Sequence, residues 1–411
     1  MTNITNTSCC ISGGGPAGLM LGLMLARAGV RVVVLEKHAD FLRDFRGDTI
    51  HPSTMQTMEE LGVLDEFLQL PHVPASRLSL NFENEVVRLA DFSKLQVKTR
   101  YIAMMPQWDF LNFITARAKA YGNFELLMEA EAKDIISEND RVLGIRAVHR
   151  GLPLEIRADL TIAADGRGSV LRSKAGLSVD SQGAPIDVVW FRIPRRSGDS
   201  NQAQAQFRSG KIAIALNRGD YWQCAFVIPK GGLEEVRAKG IEAFRQSITE
   251  VLPIDLEQTK ALVDWDHVKL LSVQVNRLKK WWTPGFLCIG DAAHAMSPVA
   301  GVGINLAIQD AVCAANILAK PLKNGERISD SLLADVQRRR EWPTRMTQRL
   351  QLAVQDLILA RTLASKGAVR PPFFLRLISR TPGLNRLPAR IMAFGIRPEH
   401  VKAELRRPVG A

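Results

Sequence analysis

Three glycines with the spacing Gly13-x-Gly15-x-x-Gly18 lie between a short apolar strand and an apolar helix. The first glycine permits a tight turn, the second removes a side chain where a pyrophosphate must approach, and the third lets helix and strand pack closely. The helix that begins at Pro16 and Ala17 directs backbone N–H groups and the positive end of its dipole to the same point. This pattern predicts a dinucleotide bound through its pyrophosphate.

An acidic residue stands at the place where such a fold binds the sugar. Glu36 ends the second strand, after the β-branched run that begins at Val30. A carboxylate there accepts hydrogen bonds from the adenosine ribose hydroxyls. We therefore expect Glu36 and the adjacent Lys37 to contact the nucleotide. Taken alone, the glycine pattern is also compatible with a tight structural turn.

A second polar turn, Gly290-Asp291, follows a late apolar strand that begins at Phe286. A carboxylate on this turn can bind a ribityl hydroxyl, and the glycines after it let backbone approach an aromatic ring. The next helix, predicted over 303–318, would stabilise an anionic reduced flavin by roughly 0.3–2 kcal/mol at its N-terminus. The two turns together predict FAD rather than NAD, although Asp291 alone could be an N-cap. The contacts predicted here are Asp291, Gly301, Gly303, Ile304 and Asn305.

Three sequence segments now occur in a recognisable order: 13–18 (GGGPAG), 165–172 (DGRGSVLR) and 290–294 (GDAAH). In this order they resemble the FAD-dependent aromatic hydroxylases, the group A flavoprotein monooxygenases typified by p-hydroxybenzoate hydroxylase. The resemblance spans roughly residues 7–320. It implies tightly bound FAD and transient docking of NADH or NADPH without a second Rossmann motif.

The resemblance also implies roles for individual residues. Arg46 matches an arginine near the flavin, and Gln107 matches a glutamine near the ribityl chain. Asp165 would contribute to both the FAD and the NAD(P)H regions, and Pro298 would lie by the flavin ring with its carbonyl facing substrate. His51 lies near Arg46 in a loop and could meet substrate. A surface arginine is the alternative for Arg46, and the local motif around Gln107 is thin.

The chemistry that we expect is hydroxylation of a small aromatic or hydrophobic substrate by O₂, through a flavin C4a-hydroperoxide. The protein must then hold the ring and exclude water, and it need not supply a nucleophile. Candidate pocket residues are Trp190, Tyr221 and Trp222, for which ordinary sheet core is the alternative.

Other functions stay open. One is an FAD-dependent reductase or oxidase acting on a lipid or quinone, and another is a non-catalytic flavin-carrying interaction protein. A flavin halogenase is disfavoured because its W-x-W-x-I-P segment is absent from the sequence. We expect no metal site, because no cysteine or histidine spacing resembles one.

The elements that must position these residues indicate an α/β fold. A Rossmann-like FAD-binding domain is predicted over 1–75, 101–180 and 276–340. Short strands with turn signals predict an antiparallel-sheet substrate domain, inserted over 76–100 and 181–275. A basic helical segment, 341–411, completes the chain. The helices predicted along the first part of the chain are Pro16–Ala28, Glu59–Leu70 and Phe110–Tyr121.

The net charge of +12 is unevenly placed. Residues 338–411 carry 16 Lys and Arg and 4 Asp and Glu, whereas the preceding residues carry 38 of each. The composition of this segment favours a helical region that covers the core and has a solvated face. Peripheral membrane contact is the alternative. Nucleic-acid binding is not expected, because no recognition motif accompanies the charge.

Cysteine usage and the N-terminus bear on the compartment. The five cysteines include no CxxC pair, and Cys9, Cys10 and Cys288 lie in apolar runs, which is typical of small buried hydrophobes in a reducing environment. The first twelve residues carry no Lys or Arg, unlike a secretory signal. We expect a cytoplasmic protein, with a homodimer as one oligomeric state.

Overall fold

The computed structural model describes residues 3–42, 49–83, 85–200, 203–381 and 383–406. Its strands are β1 (Asn3–Ser12), β2 (Val32–Glu36), β3 (Thr49–Ile50), β4 (Val73–Ala75), β5 (Arg77–Phe82), β6 (Glu85–Asp91), β7 (Ile102–Met104), β8 (Phe124–Met128), β9 (Ala130–Glu138), β10 (Arg141–His149), β11 (Leu152–Ala163), β12 (Val179–Ser181), β13 (Ile186–Pro194), β14 (Gln204–Arg208), β15 (Lys211–Asn217), β16 (Tyr221–Pro229), β17 (Lys269–Leu271), β18 (Asn276–Leu278), β19 (Trp282–Thr283) and β20 (Phe286–Cys288).

The α-helices connect and cover these strands. They are α1 (Pro16–Arg27), α2 (Pro52–Glu60), α3 (Leu64–Phe67), α4 (Gln107–Lys119), α5 (Val170–Lys174), α6 (Leu233–Ala238), α7 (Ile241–Val251), α8 (Leu256–Thr259), α9 (Gly303–Lys323), α10 (Asp330–Val354), α11 (Arg361–Leu363), α12 (Phe373–Arg380), α13 (Arg386–Phe394) and α14 (Ala403–Arg406). A π-helical stretch, Gln355–Ala360, joins α10 to α11.

The first sheet is parallel at its centre, in the order β20-β11-β1-β2-β8. Its middle strand is buried on both faces, and Ile11 pairs with Val34 on one side and with Ile162 on the other. Parallel strands in register end at the same edge, so the residues after β1, β2, β11 and β20 meet there. This edge brings together the turns that the sequence analysis identified.

Local sequence signals predict the helix Pro16–Ala28 correctly but not the helix Glu59–Leu70. The predicted helix Pro16–Ala28 is observed as α1, with Ala28 as its C-cap and Gly29 at φ +88° beyond it. The predicted helix Glu59–Leu70 is wrong. Two short helices, α2 and α3, take its place, because Gly62 adopts φ +73° and interrupts the helical backbone.

The second sheet has seven strands in the order β17-β13-β16-β15-β14-β5-β6, antiparallel except for the β14–β5 pair. Helix α7 covers one face, where Phe244 packs edge-on against Phe191 with ring centroids 5.4 Å apart. The other face packs against Val299 and the π-helical stretch. The predicted α/β fold, with a Rossmann-like domain, an inserted antiparallel sheet and C-terminal helices, is confirmed.

One helical stretch, Val299–Lys323, is long and apolar enough to cross a membrane by length and composition. However, 83% of its apolar window is buried inside the protein. It packs against α1 and α10, so it is a core helix of the fold. This helix runs directly away from the edge where the strand ends meet.

Candidate functional site

The glycine turn between β1 and α1 combines close packing with one open position. A Cβ on Gly13, at φ +111°, would lie 2.3 Å from the carbonyl oxygen of Ala164, and a Cβ on Gly18 would lie 2.0 Å from that of Gly13. Apart from the adjoining backbone, no atom of the described residues lies within 4 Å of the corresponding position on Gly15. Gly13 and Gly18 therefore permit close backbone contacts, whereas Gly15 leaves open space at the N-terminus of α1. Anions bind well at such a helix N-terminus.

Glu36 lies beside this turn, at the end of β2. Its Oε2 accepts a hydrogen bond from the Gly14 N–H at 3.1 Å, and its Oε1 accepts one from the His38 N–H at 3.1 Å. Each carboxylate oxygen can accept a further bond, so the contacts orient Glu36 and leave it able to bind a ribose hydroxyl. The neighbouring Lys37 is exposed.

Asp165 follows β11 next to the same turn. Its Oδ2 accepts from the Val170 N–H at 3.1 Å, whereas its Oδ1 is buried with no hydrogen-bond partner in the described part of the chain. Burial raises the pKa of this carboxyl. A buried oxygen without a donor is destabilising, and a ligand hydroxyl or water would relieve it. The arrangement fits a ligand at this edge.

Asp291 lies at the same site, although it is distant in sequence from the other two carboxylates. It lies in a 3₁₀ turn after β20, about one-third exposed, with its Oδ2 3.4 Å from a guanidinium nitrogen of Arg167. A Cβ on Gly290, at φ +59°, would lie 3.2 Å from the Ala17 Cβ and 3.3 Å from the Ala307 Cβ. The Gly290-Asp291 turn is therefore wedged between the first turns of α1 and α9.

The turn from Pro298 to Gly301 is strained. Ala300 has φ +65° although it carries a Cβ, and Gly301 has φ +63°. Such backbone costs about 1–3 kcal/mol per non-glycine residue and concentrates at functional sites. The hydroxyl of Thr49 donates to the Gly301 carbonyl at 3.2 Å and holds the turn from the opposite side.

Helix α9 begins two residues later, at Gly303, so its free N–H groups adjoin this turn. Ile304 and Asn305 lie in its first turn and are buried. The Asn305 Oδ1 accepts from the Thr54 hydroxyl at 3.0 Å, and its Nδ2 is buried without a partner among the described residues. The predicted contacts from this helix thus lie beside the Asp291 turn.

His51 is fully buried next to the strained turn. Its Nδ1 lies 2.8 Å from the carbonyl oxygen of Met392, so the proton resides on Nδ1. Its Nε2 lies 3.6 Å from the position that a Cβ on Gly301 would take. Burial lowers the pKa of His51 to about 4, although the neighbouring carbonyls oppose this shift. The imidazole is therefore neutral at pH 7.

Behind the Gly290 turn lies a buried ionic network that sequence reasoning missed. Asp310, on α9, accepts from the Gly290 N–H at 3.0 Å and lies 2.6 Å from the His294 Nε2 and 2.9 Å from the Arg340 Nε. The Nη1 of Arg340 also lies 3.5 Å from the Oε1 of Glu399. Burial alone would raise the pKa of Asp310, but His294 and Arg340 hold it below its usual value. The signal that the sequence offered for this network was Asp310 itself, a lone carboxylate in an otherwise apolar helix.

The predicted substrate residues do not all share one surface. Trp190 and Val299 pack into the same apolar cluster, so this face of the second sheet abuts the strained turn. Tyr221 lies on that face by strand alternation, under the Arg192 guanidinium at 5.1 Å. Trp222 points to the opposite face, is 2% exposed and packs in the α7 core. Trp222 is therefore a core residue, and its assignment to the pocket is corrected.

Two further predicted residues have different outcomes. Gln107 is the first residue of α4, and β7 ends shortly before it. Its role near a ribityl chain stays a prediction. Arg46 lies outside the described residues.

Comparison with known proteins agrees with this geometry. A family described as FAD binding domain matches residues 6–350. A 6-methylpretetramide 4-monooxygenase of Streptomyces rimosus is 29% identical over 404 residues, 97% of this chain and 95% of that protein. A digeranylgeranylglycerophospholipid reductase 2 of Methanococcoides burtonii is 23% identical over 78% of this chain and 77% of its own. A p-nitrophenol 4-monooxygenase from Pseudomonas putida shares the fold, with TM-score 0.76 and 20% identity, over 96% of this chain and 100% of that one.

The Asp291 carboxylate is testable by substitution. Asp291→Ala should weaken FAD binding by about tenfold or more, or about 1.4 kcal/mol, because it removes the acceptor from the wedged turn. Isothermal titration of apoprotein with FAD measures this directly. The matched control is Asp180→Ala, which breaks a comparable Asp180–Arg277 pair at 3.3 Å in a different part of the fold. Equal affinity in both variants would contradict the role of Asp291.

The buried network predicts a stability difference. Asp310→Asn removes the carboxylate 2.9 Å from the buried Arg340 and leaves it, among the described residues, only the more distant Glu399 at 3.5 Å. The free energy of unfolding should fall by about 3 kcal/mol. Urea denaturation of the apoprotein measures this loss. Asp264→Asn is the control, because Asp264 contacts His267 at a similar 2.8 Å on the surface, where solvent screens the pair. If both variants unfold at the same urea concentration, the network is not stabilising.

His51 predicts a pH dependence with a definite sign. The pKa of its imidazole is about 4 when folded and 6.5 when unfolded, so the unfolded chain binds a proton between these values. The free energy of unfolding is therefore highest above pH 6.5 and decreases as pH falls toward 4. About 2 kcal/mol of it is lost between pH 7 and pH 5. His51→Asn keeps a donor for the Met392 carbonyl but does not titrate. Urea unfolding at both pH values should show a smaller change in the variant; parallel profiles would refute the assignment.

Proposed function

Because the chain belongs to the FAD binding domain family of flavoprotein aromatic monooxygenases, we propose that it uses NADH or NADPH and O₂ to hydroxylate a small aromatic or hydrophobic molecule. The observation that carries this proposal is the meeting of two glycine turns, one after β1 and one after β20. Around them stand three carboxylates from distant parts of the chain: Glu36, Asp165 and Asp291.

These residues fit FAD. The open position at Gly15 and the N-terminus of α1 would receive the pyrophosphate, and Glu36 would bind the adenosine ribose. Asp291 and the buried Asp165 Oδ1 would accept hydrogen bonds from hydroxyls of the ribityl chain. Bound FAD would supply the redox chemistry, which is acceptance of hydride from NADH or NADPH and activation of O₂.

The residues around the strained turn would control the environment of the ring. The free N–H groups at the start of α9 favour negative charge there by roughly 0.3–2 kcal/mol. His51 is neutral and buried, so it adds no positive charge and carries a lone pair on Nε2 toward the Gly301 turn. We propose that His51 and the Pro298 turn position the ring and exclude water.

The substrate would lie between this turn and the face of the second sheet that is opposite α7. Trp190 shares an apolar cluster with Val299, which directly follows Pro298. Farther along the same face, Arg192 stacks on Tyr221 and would offer a cation to a phenolate or other acidic oxygen. A 6-methylpretetramide-type aromatic is the first compound to test, since the relative named for that substrate aligns with 97% of this chain.

A second function has one observation in its favour. A relative that aligns with 78% of this chain is named as a digeranylgeranylglycerophospholipid reductase. In a reductase the same flavin, once reduced by NADH or NADPH, would pass its two electrons to a double bond of a lipid or to a quinone, and no oxygen atom would enter the product. A purely flavin-carrying protein would show bound FAD that NADH and NADPH cannot reduce with any ligand.

Isotope labelling separates these functions. Turnover of an aromatic substrate panel under ¹⁸O₂ should place one ¹⁸O atom in the product, detected by mass spectrometry, with substrate-stimulated NAD(P)H consumption. Trp190→Ala should raise KM by about tenfold, or divert reduced flavin to H₂O₂, because it removes apolar surface from the pocket. Trp342→Ala, at a half-exposed tryptophan on α10, is the control. A reduced product without ¹⁸O would instead establish the reductase.

A further inference from the structure

Helices α12 and α13, with the short connection between them, form a surface element that we term the C-terminal helix pair. Its inner side packs onto β6, where Arg376 pairs with Glu85 at 3.0 Å and the Ser379 hydroxyl accepts from the Arg88 N–H. Leu375 is buried in the cluster below it. These contacts hold the pair on the protein in a defined orientation.

The outer side of the helix pair exposes large apolar side chains. Phe373 is 78% exposed and Leu387 is 59% exposed, values unusual for side chains of this size in a folded protein. Others on the same element are also open to solvent: Phe374, Leu377 and Leu384. Five exposed large apolar side chains within residues 373–387 indicate a contact surface.

The charge around these side chains has one sign. Residues 366–398 contain seven Lys and Arg and no Asp or Glu. Arg376 and Arg380 pair with Glu85, whereas Arg370, Arg386 and Arg390 are exposed and form no ion pair with any described residue. The exposed surface therefore presents apolar side chains beside uncompensated cations.

From this combination we propose that the C-terminal helix pair docks onto an anionic lipid surface. Apolar side chains enter the headgroup boundary while arginines contact lipid phosphates, which is the pattern of interfacial amphipathic helices. A second copy of this chain fits less well, because a two-fold contact would bring the same cations together. The docking itself does not depend on the proposed hydroxylation, whereas delivery of a substrate from the lipid rests on that proposed function.

The position of the pair gives docking a functional consequence. On its inner side, the Met392 carbonyl bonds His51 and the Phe394 carbonyl accepts from Gln309 at 2.8 Å. The same helix that faces lipid therefore lines the region of the strained turn. A hydrophobic substrate dissolved in the bilayer would enter at this side without crossing water.

Flotation of FAD-loaded protein with vesicles tests the proposal. The protein should float with phosphatidylcholine vesicles that contain phosphatidylserine, much less with phosphatidylcholine alone, and lose binding at high salt. Phe373→Ser combined with Leu387→Ser should weaken binding by about tenfold or more. Replacing Arg370, Arg386 and Arg390 with Gln should weaken it about fivefold per charge.

Matched substitutions on other surfaces provide the controls. Leu152→Ser removes an apolar side chain that is 70% exposed on a different surface of the protein. Replacing Lys119, Lys239 and Lys260 with Gln removes three exposed cations. These variants should bind vesicles like the parent, and FAD content should be the same in all. No flotation at low salt, or equal loss in control and test variants, would overturn the proposal. It would also fall if Phe373→Ser/Leu387→Ser converted a solution dimer to monomer, since the surface would then be a subunit interface.

Discussion

The fold depends on the close approach of two backbone turns that lie far apart in the sequence of the FAD-binding domain. Gly13 contacts the Ala164 carbonyl so closely that a Cβ would collide with it, and Gly290 lies between Ala17 and Ala307. Both contacts follow from a parallel sheet in which β1, β11 and β20 end at one edge. Around this contact the site acquires a helix N-terminus and three carboxylates, although no local stretch of chain contains the whole set.

The site is supported from behind by charge rather than by apolar packing alone. Asp310 bonds the Gly290 N–H directly, and Arg340 links that carboxylate to Glu399 near the end of the chain. His51 makes a separate buried contact with the C-terminal helices, through the Met392 carbonyl of α13. Buried polar contacts therefore link the Gly290 turn to α10 and to Glu399, and a partner left unpaired in any of them would be destabilising.

Sequence reasoning succeeded where the chemistry is local and failed where it depends on distant partners. Glycine spacing and a nearby carboxylate predicted the α1 turn and Glu36, because both require particular residue types at particular steps. Aromatic residues in strands could not be assigned to a face, so Trp222 was placed in the pocket although α7 covers it. The ionic network joins residues 310, 340 and 399, and no periodicity of one helix predicts which other helix will neutralise its buried charge.

The proposed chemistry requires these distant turns to close around one FAD. The absorbance spectrum of the purified protein, together with chromatography of the cofactor released on denaturation, measures whether they do. We expect a yellow protein with one FAD per chain, or a colourless apoprotein that takes up one FAD, but not NAD, when supplied with it. A folded protein that remains colourless and binds no flavin would refute the FAD site.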